Sequence, residues 1–217
     1  MEVYVLSLQM IEDASLQQQL LNQLSKTDRS YIESLKSSKK RLTALGGRLL
    51  LHYVAGMHGL DTFRLAYGEN GKPYFADHSE FCFNISHSNA YLILAWSHQE
   101  IGIDIEQIRK ELPRFPEKML SEIDFQFLQE QDDKLKIPIF FELWTRKESF
   151  IKFYGDSIFR KAKEFSVSDG KKLLPFKGNP TIYFHSCQWE DYMISVCTLE
   201  KNDHFSLRIV TLQEIIP

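Results

Sequence analysis

Ile101-Gly102-Ile103-Asp104-Ile105-Glu106 is a strict alternation of isoleucine with small or acidic residues. Side chains alternate faces along a strand, so the isoleucines point one way and Gly102, Asp104 and Glu106 point the other. The apolar face needs a core. On the polar face, two carboxylates at i and i+2 stand close enough to share a hard cation through oxygen. Gly102 leaves room there for a ligand to approach the backbone. The competing expectation is an ordinary half-buried strand with a solvated polar face.

Upstream, Phe81–Ser86 (FCFNIS) and Ala90–Trp96 (AYLILAW) are also strand-like, and short polar links join all three segments. This predicts an antiparallel meander. Residues 2–8 read as a first strand. Residues 15–35 read as helical with a break near 25–28, where Ser25 or Thr27 caps a second helix. A stronger helix is predicted over 38–58, with Leu42, Leu45, Leu49 and Tyr53 on one stripe. Downstream, a polar connection over 107–116 leads to an amphipathic segment at 117–130. Pro138 is expected to open a helix that Gly155 closes, and 164–210 is again strand-like. Ala90–Trp96 is echoed by Asp191–Cys197 (DYMISVC), each preceded by a long helix. The expected fold is α+β, as two similar lobes with a long helix each and antiparallel sheets. The lobes are expected at 1–106 and 107–217.

The chain has 217 residues, 43% of them hydrophobic and 13% aromatic, enough to bury a substantial core. Its net charge of −3 excludes a global basic field, so nucleic acid is not an expected partner and any bound anion needs a local cluster. No stretch approaches a membrane span, the start lacks a basic n-region, and Cys82, Cys187 and Cys197 form no CxxC. A cytoplasmic protein with reduced cysteines is expected.

Three further segments carry chemistry. In Phe140–Lys152 (FFELWTRKESFIK), helical spacing puts Trp144, Glu148 and Lys152 on one stripe with Lys147 beside it, so charges interrupt an aromatic face. The plain alternative is a Glu148–Lys152 surface salt bridge. Glu69–Tyr74 (ENGKPY) is a turn presenting Lys72 beside the rigid Pro73. Phe83–Ser88 (FNISHS) ends a strand with hydroxyls, an imidazole and backbone N–H groups, a phosphate cradle or an ordinary polar turn.

Taken in order, GKPYF, FNISHS, IGIDIE and LWTRKESFIK resemble the motifs of the 4′-phosphopantetheinyl transferases, in particular the longer, two-lobed class that activates peptide and polyketide synthetases. The resemblance spans about residues 71–152. It implies a pseudo-twofold pair of α+β lobes with the active site between them. It also implies transfer of the 4′-phosphopantetheine arm of coenzyme A to a serine of an apo carrier protein, releasing adenosine 3′,5′-bisphosphate. By position, Asp104, Glu106 and Glu148 would be magnesium ligands. Lys72, Pro73, Ser86, His87, Lys147, Lys152 and Arg48 would bind coenzyme A, with Lys39, Lys40 and Arg41 as neighbouring candidates. Glu148, Lys152 and Asp124 would act in catalysis. The base stays open between Glu148, Asp124 and metal-bound water, because Asp124 stands where the family often has a glutamate. A monomer is implied.

That chemistry needs these residue types. Carboxylates facing a pyrophosphate repel it unless a divalent cation lies between them, and lysines neutralise charge on the transferring group. Leu120, Ile123 and Phe127 form a stripe flanked by Arg109, Lys110, Arg114 and Lys118, suited either to an acidic carrier helix or to the chain's own core. Two other readings are a magnesium enzyme acting on another nucleotide or diphosphate, and a module that binds coenzyme A or a carrier without turnover. There is no GxxxxGK[ST] loop for the first.

Overall fold

The first strand, β1 (Glu2–Ser7), sends its two faces into two different cores. The computed structural model describes residues 1–155, 163–168, 182–201 and 205–216. Tyr4 and Leu6 pack toward helices, while Val3 and Val5 meet a second sheet. Three capped helices follow: α1 (Ala14–Gln23), α2 (Lys26–Ser34) and α3 (Ser38–Met57). The cap of α2 is Ser25, whose hydroxyl accepts from Asp28 N at 3.1 Å. A small hairpin, β2 (Leu65–Tyr67) with β3 (Pro73–Phe75), leads to β4 (Cys82–Ser88) and β5 (Tyr91–Ser97).

The second half holds β6 (Ile101–Gln107), α4 (Glu122–Gln129), α5 (Asp133–Tyr154), β7 (Tyr183–Trp189), β8 (Tyr192–Thr198), β9 (Ser206–Val210) and α6 (Leu212–Ile215). The first sheet runs β4-β5-β1-β9 and the second β6-β8-β7. The two meet face to face through Val3, Val5, Ile93, Ala95, Ile101, Ile103, Ile105, Ile194 and Val196. Helix α3 covers the outer face of one sheet and α5 that of the other. The echo between 90–96 and 191–197 corresponds to β5 and β8, each the return strand of a hairpin and each central in its sheet. Both hairpins turn through a residue at positive φ, Asn89 at 46° and Glu190 at 53°. The α+β architecture in two lobes is as expected.

Three expectations change. The predicted meander stops after β4-β5, because β1 already occupies the second edge of β5, so β6 leaves to pair with β8. The strand expected to close the first lobe therefore belongs to the second sheet. The chain crosses between sheets at residues 98–100, ahead of the expected division after Glu106. The C-terminal strand β9 returns to the first sheet, running parallel to β1. Helix α5 starts at Asp133, not Pro138, since the Asp132 side chain accepts from Lys134 N at 3.3 Å. Pro138 lies inside the helix at the loss of one backbone hydrogen bond.

Gly102 also has a different use from the one expected. A Cβ at this position would stand 2.0 Å from Ser149 O and 2.5 Å from Phe153 N. The space is filled by the backbone of α5, with no room left for a ligand. Gly102→Ala should therefore force α5 off β6 and cost about 3 kcal/mol, measured as a shift in the denaturation midpoint.

Candidate functional site

The β6 strand is the outer member of its sheet, and its outward N–H groups need partners. Side chains of β4 supply them. Asn84 Oδ1 accepts from Ile103 N at 3.0 Å, Ser86 Oγ from Ile105 N at 3.4 Å and Ser88 Oγ from Gln107 N at 3.2 Å. These three residues alternate along β4 and face the second sheet. Each serine then reaches one carboxylate of β6: Ser86 Oγ donates to Asp104 Oδ1 at 2.8 Å and Ser88 Oγ to Glu106 Oε2 at 3.0 Å.

Helix α5 closes this polar face. Lys152 Nζ lies 2.6 Å from Asp104 Oδ1 and donates to Ser86 Oγ at 2.7 Å. Glu148 is buried on the same stripe, so the exposed Glu148–Lys152 bridge is not the arrangement found: Lys152 pairs with Asp104. Two buried oxygens, Asp104 Oδ2 and Glu148 Oε1, have no hydrogen-bond partner. Desolvation, then the charges of Asp104 and Glu106, push the Glu148 carboxyl up to about 8 against the opposing pull of Lys152. Desolvation, followed by Asp104, also raises Glu106.

These observations test the fit to a divalent cation. Among the described residues, no group of three His, Cys, Asp or Glu side chains is placed to hold a metal ion. The donor chemistry does fit: two buried carboxyl oxygens without hydrogen-bond partners among the described residues, beside a third carboxyl group and with Lys152 paired to one of the three, are hard ligands short of positive charge. An ion reaching Asp104 and Glu148 would meet the lysine already standing on Asp104.

The other expected residues divide. His87 points to the opposite face of β4 from Ser86 and is exposed. Desolvation, then the positive charges of Lys152 and Lys39, hold its imidazole below the usual histidine value, which places Lys39 in the same neighbourhood. The Ser86 hydroxyl is engaged within the protein: its proton goes to Asp104 and its lone pairs to Ile105 N and Lys152. Lys72 stands elsewhere, pairing with Glu100 and donating to Ile101 O at 3.0 Å and Phe153 O at 2.9 Å, near the end of α5. Pro73 opens β3 opposite Tyr67. Arg48 is tied to Asp28 at 2.7 Å and to the Tyr67 hydroxyl at 2.5 Å. Arg41 donates to Leu35 O at 2.8 Å, just after α2.

Asp124 and Lys147 form a fully buried ion pair of 2.7 Å, both at 0% exposure. Asp124 also accepts from Ser121 Oγ at 2.7 Å, Ser166 Oγ at 2.7 Å and Val167 N at 2.9 Å, while Lys147 also donates to Phe165 O. Burial raises the Asp124 carboxyl, but Lys147 and the hydrogen bonds outweigh it and keep it low. As placed, Asp124 has no oxygen turned to solvent for a substrate proton, and Lys147 no face for a phosphate. The pair anchors the 166–167 segment to α4 and α5. Leu120 is buried, Phe127 half-buried, and Ile123 exposed at 56%.

The roles of Asn84 and Ser88 were not assigned from sequence. The signal was present: polar residues at 84, 86 and 88 alternate with the same period as Gly102, Asp104 and Glu106.

Asp124→Ala or Lys147→Ala should each cost about 3–5 kcal/mol by stranding a buried charge. The double variant Asp124→Leu/Lys147→Met should lose less than either, as read by denaturation. In chelator, stability should fall with rising pH between 4.5 and about 8, because the folded chain keeps the Glu148 proton that the unfolded chain loses. The slope is at most roughly 1.4 kcal/mol per pH unit. Denaturation midpoints across that range measure it, and Glu148→Gln should flatten it.

Comparison with known proteins follows the same division of the chain. A model of the 4′-phosphopantetheinyl transferase N-terminal region matches residues 13–99, and one of the 4′-phosphopantetheinyl transferase superfamily matches 100–197. The junction falls where the chain crosses between sheets. The 4′-phosphopantetheinyl transferase Sfp of Bacillus subtilis (strain 168) is 30% identical over 80% of this chain and 81% of its own length. The transferase psf-1 of Bacillus pumilus is 27% identical over 100% of this chain and 97% of its own. The transferase AcpT of Escherichia coli O157:H7 is 29% identical over 76% and 80%. The two-lobed fold, the ordered motifs and these matches agree: the chain is an enzyme that belongs to the 4′-phosphopantetheinyl transferase family.

Proposed function

We propose that this enzyme transfers the phosphopantetheine arm of coenzyme A to a serine hydroxyl of an apo carrier protein, with magnesium, releasing adenosine 3′,5′-bisphosphate. The observation that carries the cation is the pair of buried, partnerless oxygens on Asp104 and Glu148. Asp104, Glu106 and Glu148 would hold the ion, and its charge would let a pyrophosphate approach three carboxylates.

The chain's own residues do the rest. Lys152, now on Asp104, is placed to turn its ammonium to a phosphate once another cation takes its position. Lys39 and His87 supply positive charge and a donor on the adjoining face of β4. Glu148 is the carboxyl group of the site that could accept the serine proton, whereas Asp124 is spent on Lys147. One chain supplies both walls of the site, β4 from the first sheet and β6 with α5 from the second, which supports action as a monomer.

For the carrier, Ile123 and Phe115 are exposed, and Phe115 has two basic neighbours. Lys118 Nζ sits 4.2 Å from the Phe115 ring centroid and Arg114 5.2 Å. Exposed apolar side chains, one of them flanked by basic groups, suit an acidic carrier helix. No helix among the described residues is long and apolar enough to cross a membrane, and the charge balance supports no nucleic-acid partner.

Incubation with coenzyme A, magnesium and an apo carrier should add one phosphopantetheine to the carrier's intact mass. Asp104→Asn or Glu148→Gln should lower turnover at least about 100-fold while the protein stays folded. Coenzyme A binding with no mass gain on any of several carriers would refute the reading. Ile123→Asp should raise carrier KM about tenfold and leave coenzyme A KM unchanged.

A further inference from the structure

The β4 side chains that bond β6 are not of one kind, and the difference follows what lies next to each bond. Where Asn84 takes the N–H of Ile103, the preceding β6 residue is Gly102, which has no side chain to hold. Where Ser86 and Ser88 take the N–H groups of Ile105 and Gln107, the preceding residues are Asp104 and Glu106. An amide oxygen only accepts, which is all the first position needs. A hydroxyl accepts with a lone pair and donates with its single proton. Once Ser88 Oγ has received Gln107 N–H at 3.2 Å, its proton is directed to Glu106 Oε2 at 3.0 Å. Ser88 is itself only 8% exposed, so solvent does not compete strongly for that proton.

We propose that Ser88 is a positioning residue for Glu106: it fixes Oε2 and thereby sets the plane in which Oε1 is offered to the divalent cation. Unlike Asp104, Glu106 has no lysine ion-paired to it among the described residues, and its longer side chain has one more torsion to restrain. Ser88 is the group that removes this freedom before the ion arrives. The proposal rests on the magnesium reading above.

Mn2+ binding to the full chain with coenzyme A, followed by electron paramagnetic resonance, gives a readout independent of turnover. Ser88→Ala should weaken Mn2+ about tenfold and raise half-saturating Mg2+ for transfer by the same factor. At saturating Mg2+, kcat and coenzyme A KM should stay within about twofold of the parent. Ser88→Thr, which keeps the hydroxyl, should restore binding. Asn84→Ala removes the same kind of bond to β6 where no carboxylate follows, so it should lower the melting temperature without weakening Mn2+. If Ser88→Ala does not fold, Ser88→Cys keeps the volume with a weak donor and should weaken Mn2+ similarly. Parent-like Mn2+ binding by Ser88→Ala or Ser88→Cys would overturn the proposal, as would equal weakening by Asn84→Ala. An unmutated chain that binds no Mn2+ with coenzyme A would overturn the magnesium reading, and this one with it.

Discussion

Everything at the site depends on burying the polar face of β6 under α5. The contact is possible because Gly102 has no side chain, which lets Ser149 O and the Phe153 backbone come within the space a Cβ would fill. With the helix that close, Asp104 and Glu148 lose water on both sides. A carboxylate removed from water must find protons, donors or cations. Asp104 Oδ1 finds Ser86 and Lys152, while its Oδ2 and Glu148 Oε1 find no hydrogen-bond partner among the described residues. The unmet demand for positive charge is a consequence of packing, and it is the ground for the cation site proposed on this strand.

The second constraint is the edge of β6. An open edge is costly to bury and prone to pair with other chains. Here it is covered by side chains of a strand in the other sheet, an arrangement that joins the two lobes and orients two carboxylates with the same atoms. Fold and site share hydroxyl groups, so they cannot be altered independently. The ion pair of Asp124 and Lys147 is a separate unit, satisfied together with hydrogen bonds from Ser121, Ser166 and Val167 and to Phe165, and it holds α4, α5 and residues 166–167 together.

Much of this was legible in the chain. The alternation from Ile101 to Glu106 and the Trp144–Glu148–Lys152 stripe depend only on strand and helix periods, and both placed their carboxylates correctly relative to their own element. The caps at Ser25 and Ser37 and the positive-φ stop at Gly155 are local too. What the sequence could not show is which partners distant segments bring. Lys72 reads as an exposed turn lysine until Glu100, Ile101 and Phe153 surround it. Lys147 and Asp124 read as site residues until each is seen to neutralise the other.

By itself the sequence determined which side chains share a strand or helix face and where several of the helix ends fall. Those properties follow from periods of two and 3.6 residues and from short-range hydrogen bonding. Only the tertiary structure decided that β6 leaves its meander for the other sheet, that Gly102 admits a helix instead of a ligand, and that Ser86 and Ser88 donate to Asp104 and Glu106. The physical reason is the same in each case: a buried donor or acceptor takes whichever partner the packing brings within about 3 Å, and packing is a property of the whole chain.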